Sequence, residues 1–203
     1  MIANHIHDAL AQVRTLQEFI IERNLFKGYS GKARIVSGFA ALAGAVVLSS
    51  GRIPDSPWAH LAGWGAVLAA GVMANYAALL YWFLFDHEAK RNPLMLKPAV
   101  DALPALALGA VLSLAAILHR NFDLLFGIWM SLYGLAQVAY RNSLPVGIYR
   151  IGLLYMVCGA ACLLWPAVRF DNPWPMGLAF FVGELAGGAV LILDHRRTAA
   201  RKE

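Results

Sequence analysis

Charged side chains are scarce in this sequence. Only 14% of its 203 residues are Asp, Glu, Lys or Arg, whereas 60% are hydrophobic and the mean hydropathy is +0.58. An ordinary soluble domain carries roughly 25% charged residues. The shortage of charge therefore excludes a soluble domain with a polar surface, and much of the apolar material must face lipid.

Signatures of common catalytic and cofactor sites are also missing. The chain has no Walker-type loop, nucleophile elbow, HExxH or CxxC motif. Its cysteines, Cys158 and Cys162, lie four residues apart in an apolar run, and we expect them to be packing residues. The histidines fall in the N-terminal segment or at predicted membrane edges. We therefore predict no catalytic residue, no metal and no cofactor, and an enzyme is the less favoured class.

Six long apolar runs divide the chain. A hydrocarbon core of about 30 Å needs about 20 residues of helix. The runs predict an all-α membrane protein with a bundle of six transmembrane helices, at 33–50, 57–85, 98–118, 122–140, 146–168 and 174–193. The short connections predict antiparallel neighbours. The resulting domains are an N-terminal segment (1–30), a transmembrane domain (31–195) and a basic cytoplasmic tail (196–203).

The N-terminal segment has the pattern of an amphipathic helix. Apolar residues recur at helical spacing on one face, with charges on the other. They are Ile6, Ala9, Leu10, Val13, Leu16 and Ile20. This helix is too polar to span. It is expected to lie in the inner membrane interface, to cap the cytoplasmic face of the bundle, or to pair with a copy in another subunit.

Basic residues are distributed unevenly over the two ends of the predicted bundle. Of 17 Lys and Arg residues, only Arg52, Arg120 and Arg169 fall on one side, and the others, Arg34 among them, fall on the other. Positive residues accumulate on the cytoplasmic side. We predict a bacterial inner (plasma) membrane protein with both termini in the cytoplasm. Topology and contact with anionic membrane lipid account for the net charge of +5, without nucleic acid.

Glu184 is the clearest candidate for a functional residue, because an ionisable group within hydrocarbon costs free energy. It shares a predicted depth with Asn75 on the second helix, and Tyr76, Tyr133 and Tyr155 are possible partners at similar depth. One interpretation is a proton-titrating or cation-binding site. The other is a protonated Glu184 that bonds Asn75 and holds helices together.

A second polar layer is predicted nearer the cytoplasm. It consists of Asp101, Gln137 and Arg150, which lie close to predicted helix ends. An ion pair between Asp101 and Arg150 would satisfy both charges there, although side chains so near an end can also reach water. As a functional feature this layer would form the inner mouth of a cavity below Glu184.

Parts of the chain resemble a group of small bacterial six-helix inner-membrane proteins. The first is 16–45, in which Glu22-Arg23 precedes Lys27-Gly28-Tyr29-Ser30-Gly31. The second is 126–140, which contains Ser131-Leu132-Tyr133-Gly134-Leu135-Ala136, and the third is 177–194. The chain departs from the group at Pro145 and Gly147, in the loop between the fourth and fifth helices. The resemblance implies the architecture and carries no activity with it.

Three classes of function stay open on the sequence alone. The first is a non-enzymatic sensor or accessory module that contacts lipid, a partner membrane protein or a second copy of itself. The second is a small transporter or channel that uses Glu184 and Asn75 at mid-membrane. The third is an intramembrane enzyme, against which the lack of a paired catalytic group argues.

The GxxxG spacing of Gly183 and Gly187 predicts close helix packing within the chain.

Overall fold

The computed structural model describes residues 12–13, 29–85, 100–139, 141 and 144–200. All regular structure in these ranges is helical. The helices are α1 (Gly31–Leu48), α2 (Pro57–Phe85), α3 (Leu103–Leu118), α4 (Leu125–Ala139), α5 (Val146–Leu164) and α6 (Trp174–Ala200), and a short 3₁₀ turn, Phe122–Leu124, leads into α4. The predicted N-terminal amphipathic helix lies outside the described residues, apart from Gln12 and Val13.

The helices have the length and composition of a multi-pass membrane protein. Five are long and apolar enough to cross a bilayer: α1, α2, α4 with its 3₁₀ turn, α5 and α6. The described part of α3 is apolar but has 16 residues, and it follows the undescribed range 86–99. The predicted helical membrane fold is therefore confirmed, and the count of six spans stays a prediction.

Helix ends differ from the predicted bounds for local reasons. α1 starts two residues early, because the Ser30 hydroxyl caps it by accepting from the Ala33 amide at 3.3 Å. α5 was predicted to reach residue 168 but ends at Leu164. Trp165 precedes Pro166 and has the extended backbone that a following proline favours, with φ −100° and ψ 107°. The predicted end of α6 at residue 193 is wrong, since the helix continues to Ala200.

Two pairs of helices pack through glycine. In α1 and α6, a Cβ on Gly31 would lie 2.5 Å from the carbonyl oxygen of Gly188, and one on Gly188 would lie 2.6 Å from that of Gly31. Gly134 of α4 and Gly152 of α5 approach in the same way, at 2.5 and 2.9 Å. Such backbone contact matters in a bilayer, because lipid gives no hydrophobic drive for helix association.

The remaining helices pack against these two pairs. α2 lies against α1, α3 lies against α4, and α5 contacts α6, while α4 also contacts α6 and Trp64 of α2 reaches Phe126 of α4. α2 and α3 bury few of their side chains and lie at the outside of the bundle. The inner four helices therefore contain most of the buried core.

Aromatic rings close one end of the bundle, where α1, α3 and α5 end. We call it the Arg-poor end, because only Arg52, Arg120 and Arg169 of the 17 Lys and Arg residues belong to this side in the sequence analysis. Phe170 is buried there, with its ring centroid 5.0 Å from that of Phe126 and 6.0 Å from those of Phe122 and Trp129. The ring of Trp64 on α2 packs edge-on against Phe126 at 5.8 Å.

A charged hydrogen bond holds the Phe170 loop to the 3₁₀ turn that precedes α4. The Phe170 amide donates to Asp123 Oδ1 at 2.7 Å. We expect Asp123→Ala to lower the free energy of unfolding by about 1.5–3 kcal/mol, as for other hydrogen bonds to a charged group. Thermal unfolding in detergent measures it. Asp171→Ala is the matched control, because Asp171 pairs with the exposed Arg169 and its loss should leave the midpoint unchanged. Equal effects of the two substitutions would contradict the assignment.

Candidate functional site

Glu184 faces the interior of the bundle. It lies on the α1-facing side of α6, with 2% of its surface exposed. Gly38 of α1 sits directly opposite, where a Cβ would lie 3.1 Å from the Glu184 Cβ. The close approach of α1 and α6 thus brings the carboxylate against α1, far from lipid.

Arg34 of α1 binds this carboxylate with two hydrogen bonds. Its Nε donates to Glu184 Oε2 at 2.9 Å and its Nη2 donates to Oε1 at 2.7 Å. Arg34 is itself buried, with 5% of its surface exposed. A planar guanidinium and a carboxylate matched in this way form the strongest class of protein hydrogen bond, so the two charges neutralise each other inside the bundle.

Two tyrosines complete the arrangement. Tyr133 of α4 donates its hydroxyl to Glu184 Oε1 at 2.8 Å, and Tyr155 of α5 donates to the same oxygen at 3.1 Å. Their rings meet edge to face at 5.1 Å, and Phe180 of α6 packs against both. We call Arg34, Tyr133, Tyr155 and Glu184 the Glu184 cluster. It joins all four inner helices at one carboxylate.

The GxxxG glycines make room for the cluster. A Cβ on Gly187 would lie 2.7 Å from Arg34 Cζ, and a Cβ on Gly183 would lie 2.7 Å from Tyr155 Cε2. A side chain at either position would displace the guanidinium or the phenol. Their spacing therefore serves helix packing and also shapes the pocket that holds the ion pair.

The other mid-membrane candidates lie outside the cluster. Asn75 donates to Ser37 Oγ on α1 and to the Gly71 carbonyl of its own helix, each at 2.9 Å, and so does not reach Glu184. Tyr76 points away from the bundle, with 52% of its surface exposed. Equal depth did not bring these residues together with Glu184, because α1 lies between α2 and α6.

The predicted inner-mouth residues separate in the same way. Asp101 and Arg150 are both exposed and form no ion pair with each other. Gln137 is buried, with 2% exposed, and neither its amide oxygen nor its nitrogen has a hydrogen-bond partner within the described residues. It lies one turn from Tyr133 on α4, so it is the nearest polar side chain along that helix toward the predicted cytoplasmic end.

Sequence reasoning missed Arg34. The sequence pattern groups it with the basic residues that mark the predicted cytoplasmic end, whereas the structure buries it as the partner of Glu184. The signal was present, since Arg34 is the sole charged residue after Lys32 in α1 and Glu184 is the sole acid in the apolar part of α6. One buried charge of each sign on two spans is the simplest way to neutralise both.

Comparison with known proteins adds no assignment to this geometry. Across the described residues, no group of three or more His, Cys, Asp or Glu side chains is arranged to hold a metal ion. No family model, no curated protein and no solved structure matches the chain.

Proposed function

We propose that this protein is a non-enzymatic sensor or accessory module of the bacterial inner membrane. In this proposal it has six spans, an interfacial N-terminal helix and both termini in the cytoplasm. The closed Glu184 cluster is the observation that carries it. The single mid-membrane carboxylate of the described spans is fully engaged with a guanidinium and two hydroxyls.

A closed cluster of this kind suits a structural junction better than a transport site. A carrier needs a carboxylate that exchanges its partner for a proton, an ion or a substrate. Glu184 already has a full countercharge in Arg34, and both residues are at most 5% exposed. Exchange would require leaving one buried charge alone, which is costly in a low-dielectric interior.

The outer helices supply the surfaces for a partner in this proposal. α2 and α3 bury little of their length within the chain, and their outward faces are apolar. Lipid covers such faces by default, and a partner membrane protein or a second copy of the chain would replace lipid on one of them. The basic C-terminal tail is proposed to contact anionic lipid on the cytoplasmic side.

A flux assay tests the proposal. Purified protein in proteoliposomes should pass protons, Na⁺ and K⁺ no faster than empty liposomes. If the wild type shows flux, and a folded Glu184→Gln variant loses it, the module is contradicted and the transporter is established.

Photo-crosslinking in cells tests for a partner. A photo-crosslinking residue at Tyr76 on α2 and another at Val111 on α3 should give one defined protein adduct from one of the two faces. Lipid adducts alone from both would contradict a partner.

A small transporter or channel is the second candidate, with its mid-membrane site now limited to Glu184, since Asn75 bonds Ser37 and Gly71 instead. The buried amide of Gln137 has no partner within the described residues and favours this candidate, because such a group calls for a water or a ligand one helical turn from Tyr133. We expect Gln137→Leu to be neutral or stabilising in thermal unfolding if the protein is a module. A folded Gln137→Leu that loses flux would favour the transporter.

A further inference from the structure

Most of α2 has no buried residue. Its buried side chains, His60 and Trp64, lie within its first eight residues, and no later position of the helix is buried. Tyr76 is 52% exposed, and Val72 and Leu80, one turn to either side of it, are exposed as well. This face of α2 is therefore uncovered by the described residues, and an aromatic side chain with a hydroxyl group stands at its centre.

The side-chain oxygen of Asn75 is an open acceptor beside this face. Both hydrogens of the amide nitrogen are in use, because it donates to Ser37 Oγ and to the Gly71 carbonyl oxygen, each at 2.9 Å. The amide oxygen can only accept, and no donor within the described residues reaches it. The side chain is partly buried, so this oxygen borders the uncovered face of α2.

The Tyr76 hydroxyl is the complementary donor. It also has no hydrogen-bond partner in the part of the chain that the structure describes. Tyr76 does not donate to Asn75 of its own chain, because consecutive residues on a helix do not face each other. One donor and one acceptor therefore stay open on neighbouring residues.

Both groups lie well inside the span. Ser37, the partner of Asn75, is six residues inside the start of α1, which is about 9 Å of helix. Helical side chains lean toward the N-terminus of their helix, which for α2 is at the Arg-poor end. The Tyr76 hydroxyl thus leans deeper into the bilayer. Lipid tails offer no hydrogen bond, so groups left open at this depth cost free energy.

The other outer helix has no such open pair. Ser113, the one polar side chain of α3, donates to the Gly109 carbonyl oxygen at 2.6 Å and accepts from Trp129 Nε1 at 2.8 Å. Its polar group is satisfied within the chain. Of the two outer helices, α2 is therefore the one whose face calls for a polar partner.

We propose that a second copy of the chain covers this face of α2, with the Tyr76 hydroxyl of each copy donating to Asn75 Oδ1 of the other. Donor and acceptor are consecutive residues, so they share one depth, and two copies inserted in the same direction bring them to one level. A two-fold axis along the membrane normal makes both bonds at once and closes the assembly as a dimer. An identical face satisfies both groups and leaves neither unpaired. This inference names the partner at one surface of the proposed module and rests on that proposal for its role.

Förster energy transfer between full-length copies in liposomes tests the dimer. Half of the copies carry a donor dye and half an acceptor dye at the C-terminus, and the protein-to-lipid ratio is varied. We expect transfer that rises with this ratio and saturates. Tyr76→Phe removes both symmetry-related bonds and no packing volume, so it should weaken dimerisation about tenfold. Tyr81→Phe, which removes a hydroxyl from another exposed tyrosine of α2, should leave dimerisation unchanged.

Disulfide trapping locates the contact. Val72→Cys keeps both polar groups of the proposed face, and its oxidation should give a product of twice the mass, whereas Val111→Cys on α3 should give none. Transfer that Tyr76→Phe leaves unchanged would overturn the proposal, and so would trapping through Val111→Cys but not Val72→Cys. A wild type that stays monomeric at every ratio would also overturn it. Flux in the earlier assay would remove the module and leave the dimer standing, whereas a monomer without flux would remove only the dimer.

Discussion

Removing one partner of the Arg34–Glu184 pair should unfold or severely destabilise the protein. In Glu184→Met the guanidinium of Arg34 stays buried without a countercharge, and in Arg34→Met the carboxylate does. Loss of one member of a buried pair typically costs about 3–5 kcal/mol. Thermal unfolding in detergent, followed by circular dichroism, measures the loss, and we expect both single variants to fall well below the wild type.

The double substitution Arg34→Met with Glu184→Met distinguishes the role of the pair. Apolar residues of similar volume can replace a buried ion pair at little cost. If the pair is a structural junction, the double variant should recover most of the lost midpoint. Tyr133→Phe is the matched control within the cluster, since it removes one hydroxyl and leaves both charges paired. A double variant as unstable as the sum of the singles would contradict this account.

The second large effect is expected at the contact between α4 and α5. A Cβ on Gly134 would meet the Gly152 carbonyl oxygen at 2.5 Å and the Met156 amide nitrogen at 2.9 Å. Both are backbone atoms, so Gly134→Val must push the two helices apart, which should cost about 1–3 kcal/mol, at the upper end because no flexible side chain can give way. The same separation would move Tyr133 away from Tyr155 and Glu184.

Gly65→Val provides the control for this prediction. Gly65 lies in α2, and a Cβ there would meet nothing within 4 Å. Both variants make the same chemical change within a helix, so the difference between their thermal midpoints reports the cost of separating α4 from α5. Equal midpoints would show that the glycine contact is not needed for α4 and α5 to associate.

The sequence was sufficient for the helical membrane fold because that fold depends on local composition. Each span is a run of apolar residues bounded by turn residues, and α2 begins at the predicted Pro57. The cost of a charge in lipid singled out Glu184 as a candidate, but the sequence did not establish that it faces the interior of the bundle. Its partners could not be chosen among Asn75 and three tyrosines either, and Arg34 was not considered, because the choice depends on which helices touch.

Helix adjacency is a property that spacing along one chain does not encode. Asn75 and Glu184 share a depth, yet Asn75 bonds Ser37 on the intervening helix. Tyr133 and Tyr155 reach Glu184 because glycines let α4 and α5 pack tightly and present both rings at one level. Arg34 was hidden for a different reason, since a basic residue near a helix end satisfies the topology rule equally well when it is buried.

α6 continues beyond its contact with α1. Contact with α1 reaches Ile192, where a Cβ on Gly31 would lie 3.3 Å from the amide nitrogen, and α6 continues to Ala200. Eight further residues add about 12 Å of helix beyond the start of α1. Glu184 lies on the same continuous helix, so a force applied to α6 beyond Ile192 is transmitted along the helix to the residue that joins four helices.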